Sequence, residues 1–277
     1  MSETLNPRRA ATLLLLLVLP AASPAQPAKP PTLDQILNRL EANLAHYDTR
    51  LPSLFCDERV VSKVFPGQPR QDTVTDSIFR VKRVLNPDRT SALDESRDVR
   101  AVNGKPAASQ DIAGPTILSG AFEGALAIVS ASQSVCMNYT LDVNARRRRN
   151  DPQAPYIIRF ASVITPQNSA ACLLQEEGKG RAFIDPATVQ IARMELTTPH
   201  HIISPETVYY SATTGDRVLS VDYAPVQLDG EAFWLPATIT STVTSGRGTF
   251  HAITWTFKAT YRNFHKLEVT SRILPTP

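Results

Sequence analysis

The spacing of apolar residues changes once along the chain, near residue 50. Before it, Leu33, Ile36, Leu37, Leu40 and Leu44 recur on one stripe at helical spacing, with Asp34, Asn38, Arg39, Glu41 and Asn43 on the other side. Thr32 followed by Gln35 is a capping-box pattern, so an amphipathic helix is predicted from Thr32 to near Asp48. After "LP", three long alternating runs follow: "SLFCDERVVSKVF", "QDTVTDSIFRVKRV" and "TSALDESRDVRAV". "PGQPR", "LNPDR" and Asn103-Gly104 supply the turns. The charges on these strands require one face of the sheet to meet water.

"SGAFEGALAIVSASQ" returns to helical spacing through Phe122, Ala125, Leu126 and Val129, which predicts a short second helix from Ala121 to Ala131. Gly120 and Gly124 weaken it. Strand patterns then resume at 135–143, 156–165, 181–185, 188–197, 217–226, 231–244, 249–262 and 266–274. Asp185-Pro186 marks a turn between two of them, and the stretch around Pro205 marks another. Asp229-Gly230 suits a two-residue type I′ hairpin. Pro225 and Pro236 cannot donate to a ladder and belong at an edge or a bulge. The expected fold is mainly β (α+β). About eleven antiparallel strands form a curved sheet whose concave face is plugged by the first helix.

"FWLP" raises a question of orientation. Alternation sets Ala232, Trp234 and Pro236 on one face and Phe233, Leu235 and Ala237 on the other. Trp255 and Phe257 share a face of the following strand and are expected to point inward, toward Leu37 and Leu40. The register between the two strands is open at this stage. The expectation is that Trp234 joins the inward face, with a core role favoured over a pocket wall.

The first 25 residues stand apart. Arg8 and Arg9 precede an apolar run from Ala10 to Leu19, and "SPA" ends at Ala25. This is the pattern of a cleaved export signal. The run is shorter than the roughly 20 residues a membrane helix needs. Gln26 to Pro31 reads as a Pro-rich linker, and residues 32–277 as one domain. The localisation expected is periplasmic or secreted, with no transmembrane segment in the mature chain.

The net charge of +3 gives no electrostatic footprint for nucleic acid. Arg146, Arg147, Arg148 and Arg149 form the one dense basic cluster, read as a solvated loop or as a contact with an anionic envelope surface. The three cysteines, in an exported chain, make one bridge and one spare thiol. Cys136 and Cys172 are the expected pair, because one strand separates them, and Cys56 is the spare. No C-x-x-C or paired-histidine spacing points to a metal, and no nucleophile–base motif or phosphate loop points to a reaction. Glu176 with Glu177 and His200 with His201 read as surface or strand-end pairs.

The helix-first order, the paired strands, "VDYAPVQLDGEAFWLPATITS" and the closing "FKATYRNFHKLEVTSRI" resemble the half-barrel of the periplasmic lipoprotein carriers LolA and LolB, and that of secreted bacterial outer-membrane lipoprotein-sorting proteins. The resemblance covers most of residues 32–274. It implies a carrier rather than an enzyme, with no cofactor, taking an acyl chain of a lipid or lipoprotein between helix and sheet. Leu37, Leu40, Leu44, Trp234, Trp255 and Phe257 are the expected ligand-facing residues. The alternative is a non-catalytic structural or interaction protein of the envelope whose half-barrel is filled. A secreted hydrolase ranks last.

Overall fold

The computed structural model describes residues 30–64, 71–85, 91–107, 124–142, 151, 153–202, 212–245 and 252–268. The predicted export signal, the arginine cluster at 146–149 and residues 269–274 of the last predicted strand lie outside them. Helix α1 (Leu33–Arg50) begins where the sequence places it. Thr32 accepts from the Gln35 amide, and the Gln35 side chain accepts from the Thr32 amide. Its buried stripe is Ile36, Leu37, Leu40 and Tyr47, while Leu33 and Leu44 are half-buried.

Eleven strands form one open antiparallel sheet. They are β1 (Leu54–Val64), β2 (Gln71–Leu85), β3 (Ser91–Val102), β4 (Lys105–Pro106), β5 (Met137–Asp142), β6 (Tyr156–Ser162), β7 (Lys179–Ile184), β8 (Ile191–Ile202), β9 (Ala212–Leu228), β10 (Glu231–Ser245) and β11 (Ala252–Lys266). The order across the sheet runs from β4 back to β1, then from β11 back to β5. Every step joins sequence neighbours except β1 to β11, where the two ends of the meander meet.

Two differences from the predicted elements have local causes. The second helix, α2, is helical over Gly124–Ala127 among the described residues and stops short of the predicted Ala131, followed by a 3-10 turn at Ser132–Val135; its predicted start at 121–123 lies outside them. Ser130 donates to the Ala127 carbonyl and pairs with Ser132, and such local bonds compete with helix continuation. β11 crosses 262–266 without the predicted break. A bulge between Phe55 and Asp57 on β1 and a left-handed Asn263 (φ 55°) absorb the irregularity. The short β4 was not predicted; it follows the expected Asn103-Gly104 turn, where both residues have positive φ.

Register lays the buried side chains in rows across the inner face. One row runs Val60, Ala259, Ile239, Val221, Met194, Ala182 and Ile158, each opposite the next. All seven are buried, so the apolar surface is continuous from β1 to β6. A parallel row runs Phe257, Ser241, Leu219, Leu196, Gly180 and Phe160. Gly180 is obligatory there: a Cβ would sit 2.4 Å from the Phe160 ring and 2.0 Å from the Glu195 carbonyl oxygen. The opposite face carries the predicted charges as exposed pairs, among them Asp142–Arg159, Arg181–Glu195 and Arg193–Asp222.

α1 lies across one end of this inner face. Arg83, near the end of β2, donates to the carbonyls of Tyr47, Asp48 and Leu51. Asn43 donates to the Val189 carbonyl (2.9 Å), just ahead of β8, and Glu41 accepts from the Ser132 amide (3.0 Å). The Asp229-Gly230 hairpin has the predicted pair of positive φ angles. Pro236 sits at a bulge of β10. Pro225 lies on β9 beyond the recorded pairing with β8, a local edge.

Cys136 and Cys172 form the predicted disulfide, and Cys56 is a buried free thiol. Burial, then the nearby Glu58 carboxylate, pushes the Cys56 thiol far up, so it is unreactive in the folded chain. Non-reducing peptide mapping is expected to link Cys136 to Cys172, with Cys56 alkylated only after unfolding. Replacing both bridge cysteines by serine is expected to remove roughly 4 kcal/mol in the chain-entropy account of a loop this long. A linked peptide containing Cys56 would contradict the pairing.

Candidate functional site

A recess opens where the β9–β10 hairpin meets α1. Its walls are Leu40, Asn43, Leu44, His46 and Tyr47 from α1, Leu126 from α2, Gln190 and Ile191 at the start of β8, and Ala232, Phe233 and Trp234 on β10. The space inside is about 30 Å³, the size of one water molecule. Three of the six predicted ligand-facing residues therefore meet in one place: Leu40, Leu44 and Trp234. Leu37 is buried in the core beside them in sequence. Trp255 and Phe257 are elsewhere. Trp255 stands opposite Val64, ten residues along β1 from Leu54, or roughly 33 Å of strand. Phe257 is buried and Trp255 half-buried on the same face as Ala259.

Trp234 is half-buried, whereas its neighbours Phe233 and Leu235 are 3% and 0% exposed. The Phe233 ring stacks on His46, 5.9 Å between centroids. The fully buried anchor of this ribbon is thus Phe233 with Leu235, and Trp234 is part of the recess wall. Glu231 ties the ribbon to α1. It pairs with Arg50 and lies 3.6 Å from the His46 imidazole. The hydrogen bond from Arg50 holds the Glu231 carboxyl below its ordinary range. A carboxyl lowered by folding adds stability above its unfolded pKa and loses it as pH falls through the folded value, so this tie weakens in acid. Lys266 reaches Asp229 at the hairpin tip (2.8 Å).

A second polar group lies deeper on the inner face. Glu58, 2% exposed, accepts from Arg97 Nε with both carboxylate oxygens (2.9 and 2.7 Å). The Arg97 guanidinium lies over the Phe79 ring, 4.8 Å from its centroid, and Tyr261 hydrogen-bonds with both charged groups. Burial works against the Arg97 charge, but Glu58 and Tyr261 together outweigh it and the guanidinium is raised. Burial, then Glu58, pushes the Tyr261 phenol well up. The charge-rich run "CDER" hides this cluster in the sequence. The available signal was position: Leu54, Cys56, Glu58 and Val60 alternate onto one face, and a charge in such a series needs a buried partner. Two further buried hydroxyls on that face, Ser77 and Tyr223, were also missed.

Among the described residues no group of three His, Cys, Asp or Glu side chains is placed to hold a metal ion. No helix among them is long and apolar enough to cross a membrane. No protein-family model matches the chain, and no curated protein matches its sequence. Solved structures show a distant likeness. A LolA superfamily protein from Nitrosomonas europaea shares 10% identity over 83% of this chain and 93% of its own, with a TM-score of 0.35. A DUF1329 family protein from Desulfovibrio piger shares 10% over 84% and 92%, with a TM-score of 0.37. A domain from Vibrio parahaemolyticus assigned to outer-membrane lipoprotein sorting shares 11% over 81% and 89%, with a TM-score of 0.34. At TM-scores below 0.5 none of these decides function, which is argued from the residues.

The recess geometry separates two aromatic neighbours experimentally. Phe233→Ala is expected to cost about 3–5 kcal/mol, as for a ring lost from a packed core. Trp234→Ala is expected to cost clearly less in the same denaturant titration. Equal losses would return Trp234 to the core.

Proposed function

We propose that this is an exported envelope protein that binds an acyl chain or a similar apolar ligand between α1 and the sheet, as a lipid or lipoprotein carrier without catalysis. The observation that carries the reading is a continuous apolar floor with the amphipathic helix α1 laid across one end of it. The floor runs across seven strands with no charge in its row. The cover is held by polar ties near the strand ends, Arg83, Asn43, Glu41 and Arg50.

Magnitudes favour exchange. Burying the four stripe residues of α1 is worth roughly 6–12 kcal/mol, at about 1.5–3 kcal/mol each. A sixteen-carbon chain offers about 12 kcal/mol, at about 0.8 per methylene. A ligand of that length can therefore replace the helix stripe on the floor at little net cost. The alternative, a filled half-barrel serving as an envelope scaffold, draws on the recess volume: about 30 Å³ against the roughly 300–1,000 Å³ of ordinary ligand pockets.

Localisation follows the export signal at residues 1–25, with the mature chain starting at Gln26. A role for Arg146 to Arg149 against anionic headgroups is part of the same proposal.

Organic extraction of protein purified from its native envelope is expected to release acyl-containing lipid. A pyrene-labelled fatty acyl ligand is expected to bind the emptied protein, and Leu40→Arg, which places a charge in the recess wall, to reduce that binding at least tenfold. No extracted lipid and no uptake would favour the scaffold.

A further inference from the structure

We infer that the outer edge of β5, with the apolar knuckle at its start, is a docking surface for a partner protein that lays an uncharged extended segment along it as an added strand. The inference goes beyond the acyl-binding reading and does not require it. Among the described residues five large apolar side chains are exposed, and three of them stand together here: Val135 (62%), Val163 (39%) and Leu173 (51%). Asn168 holds the first two side by side, its Nδ2 donating to the carbonyls of both (2.7 and 2.8 Å). The buried Gln133 side chain accepts from the Leu173 amide (3.1 Å) and donates to the Ala171 carbonyl (3.2 Å). The Cys136–Cys172 disulfide closes the same turn. The three aliphatic side chains therefore stand on a pinned backbone, which has little freedom left to lose on binding.

β5 ends the sheet, and no described strand pairs with its outer edge. The opposite end of the sheet is defended against added strands by the two-residue β4 with Pro106, and by Asp94, Asp98 and Arg100 along β3. β5 has no proline and no charge before Asp142. Charge is missing around it too: residues 124–141 and 160–175 contain no Asp, Glu, Lys or Arg, in a chain that is 20% charged. Loss of charge around exposed aliphatic groups marks the centre of a protein interface, and a bare strand edge is a template for strand addition. A charged segment laid here would find no counter-ion, so the matching segment is uncharged. The same composition disfavours a membrane, since these stretches carry no basic side chain and no tryptophan to engage headgroups. A second copy fits poorly. Antiparallel pairing of β5 with itself about a two-fold sets the two knuckles at opposite ends of a strand about 20 Å long, so neither covers the other. A six-residue edge and three side chains also fall short of the roughly 20–30 residues a side of a stable interface, which suits a contact that releases.

The probe is a capped, fluorescein-labelled heptapeptide of alternating threonine and valine, titrated with the full mature chain by fluorescence anisotropy. It is expected to bind about tenfold more tightly than the same peptide N-methylated at alternate residues, which cannot complete the ladder. Leu173→Asp is expected to weaken binding about fivefold, as for an interface anchor, and to leave the melting temperature unchanged because the side chain is exposed. Val84→Asp, at an exposed valine on β2, is expected to leave binding unchanged. Equal affinity for the two peptides, no binding of either, or equal losses in the two variants would overturn the inference. The wild type is expected to sediment as a monomer at micromolar concentration and to stay behind when phosphatidylglycerol vesicles are floated. A dimer dispersed by Leu173→Asp would give the surface to a second copy, and flotation abolished by the same variant would give it to a membrane; either result would overturn the inference. Uptake of the pyrene-labelled acyl ligand is expected to be equal in Leu173→Asp and wild type, so its absence from the wild type would count against the acyl-binding reading alone.

Discussion

Arg83 reaches from β2 to the last turn of α1 and donates to the carbonyls of Tyr47, Asp48 and Leu51. The Tyr47 carbonyl also accepts from the Leu51 amide (3.0 Å), while those of Asp48 and Leu51 lie at and beyond the terminus, at the negative end of the helix dipole. A cation there satisfies the backbone and fixes where the helix ends. Hydrogen bonds to charged groups are worth about 1.5–3 kcal/mol each. The seat of α1 on the sheet, and with it the enclosure of the recess, depends on this contact. Arg50 with Glu231 secures the same end from the β9–β10 ribbon.

The inner face beneath the helix is graded. Closest to α1, Leu54 and Val81 are fully buried and apolar. Two steps further in come Glu58, Ser77 and Tyr261, and then the apolar row from Val60 to Ile158. The Glu58–Arg97 pair is self-contained, which makes it tolerable in a buried layer: each charge is matched, and Phe79 and Tyr261 enclose it. Losing one partner of such a pair typically costs about 3–5 kcal/mol, because the other is left buried and unpaired. The exposed ion pairs on the outer face are of the kind worth about 0–1 kcal/mol each, so the fold gains little from them beyond solubility.

Much of this architecture was legible in the residues. The capping box at Thr32 and Gln35, the Asp229-Gly230 hairpin and the Cys136–Cys172 pair each depend on local spacing, and each holds. What was not legible depends on register. The bulge at Pro236–Thr238 separates the alternation of Phe233 and Leu235 from that of Ile239, and no local signal fixes which face the earlier pair takes. With that shift Trp234, opposite Pro225, shares the face of Tyr223 and Val221, and it meets α1 far along the sheet from Trp255 and Phe257. Arg83 and Arg97 were invisible for a related reason. Each lies on a strand rich in charges, and only tertiary neighbours distinguish it from the solvated ones. Ser130 bonding to the Ala127 carbonyl explains why, among the described residues, helical spacing from 124 to 131 stays helical only through Ala127.

The central claim is that α1 is a replaceable cover on an apolar floor. Arg39 on α1 and Lys258 on β11 are both exposed and can carry spin labels as Arg39→Cys and Lys258→Cys, while the buried Cys56 stays unlabelled. The distance between the labels, measured by pulsed electron resonance with and without a long-chain fatty acyl ligand, reports the position of the helix directly. The account predicts that saturating ligand shifts the distribution by several ångströms, with the sheet unchanged. Bound ligand with an unaltered distance distribution would contradict it.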